Sequence, residues 1–176
     1  MGRGHPDADW IRSVVERFDS RLVSYSYRLT GDLESARDVV QETFLKLCDQ
    51  RRVEVESHIA QWLYTVCRYQ SLNLRRKERR NESLNEEQSG QLVSGELTAD
   101  SRMQREEDLT EVDTAIATLP PNQREVVRLK FEHELSYREI SAITGLTSSN
   151  VGYLLVQGLR ELRKKLSHEP FCASHQ

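Results

Sequence analysis

Residues 119–166, LPPNQREVVRLKFEHELSYREISAITGLTSSNVGYLLVQGLRELRKKL, hold three helical patterns, the last two parted by a turn of only a few residues. Ser136 and Glu139 form an S-x-x-E capping box, which predicts a helix beginning at Tyr137. Ile140 and Ile143, with Ala142 beside them, give that helix a core-facing side. Gly145 stands where the chain leaves it with positive φ, a conformation that costs glycine least. Thr147 or Ser148 then caps a second helix, along which Val151, Leu155, Leu159, Leu162 and Leu166 recur at three- and four-residue spacing. The opposite face is free and begins at the N-terminal end of this helix. In a helix-turn-helix that end enters the major groove of DNA; an ordinary helical hairpin fits the same pattern. Ahead of the pair, Pro120-Pro121 ends a helix spanning about Glu111 to Leu119 and starts the next, because proline fits a first helical turn.

The chain has 176 residues, room for one domain or two small ones. Charged residues make up 30%, and glycine and proline number only 8 and 4, a balance that suits helices. No run approaches the ~20 apolar residues that span a bilayer. The opening M-G-R-G-H-P-D-A-D lacks the apolar core of a signal peptide, so the expectation is a cytoplasmic protein without direct membrane insertion. Cys48, Cys67 and Cys172 are far apart and odd in number. The two on expected helices, Cys48 and Cys67, read as reduced, buried thiols.

Net charge is −3, which argues against a protein that simply coats DNA. Its distribution says more. Arg75, Arg76, Lys77, Arg79 and Arg80 form one basic block and Arg160, Arg163, Lys164 and Lys165 another. The acids concentrate between them, from Glu82 to Glu111. Two basic-ended helical blocks are thus joined by an acidic tether, although cations at helix C-termini also simply favour the helix dipole.

A first helix is expected from about Asp9, with Ile11, Val14, Phe18, Leu22, Tyr25 and Leu29 at helical spacing. Gly31 ends it and Asp32 caps the next. From Leu33 to Cys48, Ala36, Val40, Phe44 and Leu47 form the expected buried stripe. The other surface carries Asp38, Gln41, Glu42 and Leu45, a patch that fits either solvent or a basic partner helix. Asp49–Glu56 reads as a polar connection. Ser57 is then expected to cap a long helix reaching about Arg80, with Ile59, Leu63, Val66, Cys67, Gln70 and Leu74 toward the core. A second stripe on that helix, Trp62, Tyr69, Asn73, Arg76 and Arg80, orders aromatic rings, an amide and guanidinium groups along one face, with Lys77 beside them. Bases can stack on such a face while phosphates are held, at about 1–3 kcal/mol per stacked base; Trp62 also suits the core. Residues 81–110, poor in aromatic and β-branched side chains, read as a flexible linker.

Three stretches carry a family resemblance: A-R-D-V-V-Q-E-T-F-L-K-L (Ala36 to Leu47), W-L-Y-T-V-C-R-Y-Q-S-L-N-L-R-R (Trp62 to Arg76), and L-P-P-N-Q-R-E-V with L-S-Y-R-E-I-S-A-I-T-G-L (Leu119 to Val126, Leu135 to Leu146). In this order the chain resembles a bacterial RNA polymerase sigma factor of the sigma-70 family, extracytoplasmic-function group. The resemblance implies an all-α protein of two small helical domains, residues 9–80 and 111–167, on an acidic linker, residues 81–110. It implies core RNA polymerase and promoter DNA as partners, an anti-sigma factor or other inhibitor, no small-molecule substrate, no cofactor and no enzymatic activity. Asp38, Gln41, Glu42 and Leu45 would grip the largest polymerase subunit. Trp62, Tyr69, Asn73, Arg76, Lys77 and Arg80 would melt and hold the −10 region. Ser148, Ser149, Asn150, Tyr153, Gln157 and Arg160 would face the −35 element.

The chain departs from the family pattern in places. Tyr69 stands where the family most often has Asn, and Asn73 where it has Asp. The recognition helix has no guanidinium over its first half, although amide groups there can address adenine. The expectation is weak or altered −35 reading, which also keeps open a sigma-like interaction protein or a stand-alone helix-turn-helix regulator. No P-loop, H-E-x-x-H or nucleophile motif is present. His168, Cys172 and His175 make a poor metal set, and no metal is expected.

Overall fold

The computed structural model describes residues 7–89 and 111–167, of residues 81–89 the backbone alone. Regular structure among them is all helical: α1 (Ala8–Thr30), α2 (Leu33–Cys48), α3 (Arg52–Val55) leading into a 3-10 turn (Glu56–His58), α4 (Ile59–Ser89), α5 (Glu111–Ala117), α6 (Pro121–Phe131), α7 (Tyr137–Thr144) and α8 (Ser148–Leu166). The chain divides into two compact units.

In the N-terminal unit α1, α2 and α4 pack pairwise. Gly31 ends α1 at φ 83°, its N–H donating to Tyr27 O, and Asp32 accepts the Ser35 N–H at 2.8 Å to start α2. That hydrogen bond holds the Asp32 carboxyl below its usual pKa. Leu22, Ala36, Leu47, Leu63 and Cys67 are fully buried, and each buried leucine contributes roughly 1.5–3 kcal/mol. Tyr25 and Tyr64 meet edge-to-face at 5.2 Å. Two polar contacts fix the crossings: Ser26 Oγ lies 2.9 Å from Ser71 Oγ, and Gln70 Nε2 donates to Thr43 Oγ1 at 3.0 Å.

The sequence reading needs correction at six places in this unit. Phe44 is half-buried, while Val39 and Thr43 are buried. The reason is that α2 packs on both α1 and α4, so its buried sector is wider than one stripe. On α4 the same widening buries Tyr64 and Ser71, while Ile59, Val66, Gln70 and Leu74 stay half-buried. The connection after Asp49 contains a short helix, supported by Arg51–Glu54 and Arg52–Glu56 ion pairs of 3.2 and 2.6 Å and by buried Val55. Ser57 lies within the 3-10 turn, its hydroxyl 3.2 Å from His58 Nδ1, and does not start α4. The helix also runs past Arg80 to Ser89, because no glycine or proline interrupts it before Gly90 and Glu82, Leu84, Glu86, Glu87 and Gln88 are good helix formers. The remainder of the expected linker, residues 90–110, lies outside the described residues. Cys67 is buried, which pushes its thiol up to about 12 despite hydrogen bonds from Ser26 and Ser71, but Cys48 is exposed.

In the second unit α5, α6 and α8 pack together. Pro121 takes the first turn of α6 as expected, and α5 ends at Ala117, leaving Leu119 buried in the turn. Arg128 is 5% exposed; its guanidinium reaches Asp113 of α5 at 3.3 Å and also Glu132 one turn on. Lys165 Nζ donates to Thr118 Oγ1 at 2.6 Å, tying the end of α8 to the α5–α6 turn. Val151, Leu155 and Leu162 are buried on α8, but Leu159 and Leu166 are 44% and 37% exposed. Gly158 takes the contact expected of Leu159: a Cβ there would lie 2.9 Å from Val127 Cγ2, so only glycine lets α6 approach this closely. No helix among the described residues is long and apolar enough to cross a membrane.

Candidate functional site

The α2 surface is built as its sequence implies. Asp38, Gln41, Glu42 and Leu45 are all exposed, with Leu45 at 57%, and Glu42 pairs with Lys46 at 3.7 Å. Tertiary packing adds a relation invisible in the sequence. Asp38 and Glu42 share a shallow groove of about 370 Å³ with Tyr69, Asn73 and Lys77 of α4. On the other flank Gln41 and Leu45 border a wider, mostly apolar groove of about 810 Å³ between α1 and α2, lined also by Ile11, Val15 and Phe44. Half-buried Phe44 belongs to this groove. Its i+3 spacing from Gln41 was the available signal, masked because phenylalanine is ordinarily read as core.

Along α4, Trp62 and Asn73 are half-buried and Tyr69 is 66% exposed. Arg76, Lys77 and Arg80 are exposed, and Arg76 donates to Asn73 Oδ1 at 3.2 Å. Steps of seven, four, three and four residues keep Trp62, Tyr69, Asn73, Arg76 and Arg80 on one side over about 27 Å, at ~1.5 Å per residue. Trp62 divides itself between core and surface. Tyr69 offers an open ring face, and the cations follow it toward the helix C-terminus. A single strand laid along this line would meet rings first and positive charge after.

The α7–α8 pair has the local chemistry of a helix-turn-helix. Ser136 N–H donates to Glu139 Oε2 at 2.8 Å and Glu139 N–H returns to Ser136 Oγ at 3.3 Å, completing the capping box. Gly145 leaves α7 at φ 77°, and Ser141 Oγ donates to Leu146 O at 2.5 Å across the turn. Thr147, of the two candidates, caps α8 by accepting the Asn150 N–H at 3.2 Å. Ser148, Ser149, Asn150, Tyr153 and Arg160 are exposed and Gln157 is half-buried. Two residues absent from the sequence-based set join them. Val156 is 63% exposed, and the ring of Tyr137 lies 3.6 Å from where a Cβ of Gly152 would stand. Val156 was legible as the i+3 neighbour of Tyr153; the approach of Tyr137 required the tertiary structure.

Among the described residues no group of three or more His, Cys, Asp or Glu side chains could hold a metal. His168, Cys172 and His175 lie outside them.

Family models match both halves of the chain: Sigma-70 region 2 over residues 14–81 and Sigma-70 region 4 over residues 109–162. The chain is 29% identical over 171 residues to the RNA polymerase sigma factor YlaC of Bacillus subtilis (strain 168), covering 90% of this chain and 93% of that protein. It is 29% identical over 168 residues to the ECF RNA polymerase sigma factor SigL of Mycobacterium tuberculosis, covering 94% and 93%. To the ECF RNA polymerase sigma factor SigW of Bacillus subtilis it is 26% identical over 170 residues, covering 91% and 90%. The fold is shared with the sigma factor RpoE solved in complex with the anti-sigma factor NepR from Bartonella quintana, at a TM-score of 0.61 and 20% identity over 90% of this chain and 98% of that one. With both regions matched in order and relatives of nearly equal length, the chain belongs to the sigma-70 family of RNA polymerase sigma factors, in its extracytoplasmic-function group.

Proposed function

We propose that this protein is a dissociable initiation subunit that binds core RNA polymerase and directs it to chosen promoters. The observation that carries this reading is the presence of both sigma-70 regions, in order, on one chain that is all helical among its described residues. Residues 9–80 form the polymerase-binding and −10 module, residues 81–110 the connecting segment, and residues 111–167 the −35 module. In this reading the exposed α2 face of Asp38, Gln41, Glu42 and Leu45 docks on the polymerase. Acidic side chains there suit a basic helical partner, and Leu45 supplies the apolar contact that fixes register. Trp62, Tyr69, Asn73, Arg76, Lys77 and Arg80 take the non-template strand of the −10 region, the rings stacking bases and the cations holding phosphates. Ser148, Ser149, Asn150, Tyr153, Gln157 and Arg160 present α8 to the −35 element.

The protein performs no chemistry itself; bond formation stays with the polymerase. It works in the cytoplasm, where the polymerase is. Because a sigma factor of the same fold was solved with an anti-sigma factor, an inhibitory protein partner is proposed here too. A stand-alone regulator is not favoured, since it has no use for a region 2 module. Run-off transcription tests the reading: adding the full chain to purified core polymerase converts it into a promoter-dependent enzyme. A chain that acts only on complete holoenzyme, or fails to associate with core at low ionic strength, is not a sigma factor.

A further inference from the structure

The outward face of α8 is apolar where a DNA-reading helix ordinarily carries charge. Val151, Leu155, Gly158 and Leu162 bury one side of the helix. Opposite them, at steps of four, three and four residues, stand Ser149, Tyr153, Val156 and Arg160, all exposed. Tyr153 and Val156 are 61% and 63% exposed despite their size and apolarity. Tyr137, itself 45% exposed, lies beside Gly152 and extends the same surface from α7. From Thr147 to Leu159 no residue carries a charge, and Arg160 is the first cation.

Resting on the promoter reading above, we infer that Tyr153 and Val156 are specificity-determining residues that contact the C5-methyl groups of thymines in the upstream promoter element. The occupant follows from three features. Acids, which would repel phosphate, are absent along the face. Exposed Asn150 and half-buried Gln157 flank the apolar pair, and such amides are the side chains that match adenine N6 and N7. Reach also suits the groove: Ser149 to Val156 spans about 10 Å at ~1.5 Å per residue, inside a major groove ~12 Å wide. Of the four bases only thymine offers a methyl group there, and α8 has no guanidinium before Arg160 to take guanine O6 and N7. The upstream element is therefore A·T-rich, read by shape and apolar contact together with amide hydrogen bonds.

Uracil tests this directly, because it keeps every hydrogen-bonding group of thymine and lacks only the methyl. Holoenzyme reconstituted from core polymerase and the full chain selects duplexes from a randomised library, and the best-bound duplex is remade with uracil at single upstream positions. Each contacted thymine loses about fourfold in affinity, the worth of one buried apolar carbon. Val156→Ala, a change at an exposed helical position, binds the thymine duplex more weakly and no longer distinguishes uracil at the position it faced. An upstream element rich in G·C pairs, indifference to uracil, or a Val156→Ala holoenzyme as uracil-sensitive as the original overturns the inference while leaving the initiation reading intact. So does an upstream region that can be scrambled without loss, which leaves this face to a protein partner. Failure to form any holoenzyme overturns the initiation reading, and the inference with it.

Discussion

Asp32 illustrates how much one side chain does at a helix start. Its carboxylate accepts the Ser35 N–H and is held below its ordinary pKa by that bond. Asp32→Ala is expected to cost about 1 kcal/mol in urea unfolding at neutral pH. With a folded pKa below the unfolded one, the charged cap's contribution is complete above the unfolded pKa and fades as pH falls through the folded value. The gap between wild type and variant should therefore narrow in acid; a gap constant with pH would show that charge plays no part. Two glycines on α8 separate geometry from propensity. At Gly152 an added Cβ meets Tyr137 at an ordinary 3.6 Å, so Gly152→Ala should stabilise by up to about 1 kcal/mol through helix propensity. At Gly158 it meets Val127 at 2.9 Å, and overpacking of about 1–3 kcal/mol outweighs the same gain. Opposite signs in thermal unfolding check the pair. The thiols divide likewise: in a Cys172→Ser background, exposed Cys48 should react with a thiol reagent at pH 8 within minutes, and buried Cys67, pushed up to about 12, only as the protein unfolds. Equal rates would contradict its burial.

At the scale of the element, α2 serves two neighbours and still keeps an outer face. Packing on α1 and α4 buries Val39 and Thr43, and what remains for a partner is Asp38, Gln41, Glu42 and Leu45. Asp38→Ala is expected to weaken core binding about twofold to fivefold, in line with an exposed ion pair. Glu42→Lys, which reverses the charge, should weaken it further while the helix content by circular dichroism stays unchanged. Core affinity equal to wild type for both variants would remove this face from the docking surface. Much of this was legible before any coordinates. Capping at Asp32 and Ser136 and the left-handed exits at Gly31 and Gly145 follow from local chemistry and stand as read, and of the two caps left open for α8 the structure takes Thr147. Phe44, Leu159 and the C-terminal end of α4 were misread for different reasons. Periodicity reports that a residue can be buried, but a second neighbour or a closely packed glycine decides whether it is.

Across the whole molecule the charge is nearly balanced at −3, yet its basic blocks lie at the ends of helices where nucleic acid is proposed to bind. Replacing Arg76 and Arg80 with alanine should lower promoter opening most at low salt, and the gap from wild type should narrow as salt rises. Each lost phosphate contact on a single strand takes roughly 0.7 from the slope of log affinity against log salt, so the double variant should lose about 1.4. An unchanged slope would mean that these arginines are merely solvated.

By itself the sequence determined that the chain is helical, where most helices begin and end, and which family it resembles, because capping, glycine φ and hydrophobic period act within a few residues. Only the tertiary structure decided that Asp38 and Glu42 share a groove with Tyr69 and Asn73, that Gly158 rather than Leu159 meets α6, and that Tyr137 lies over Gly152. Those facts depend on which surfaces of distant segments come into contact. Packing energy fixes that choice collectively, and no window of neighbouring residues contains it.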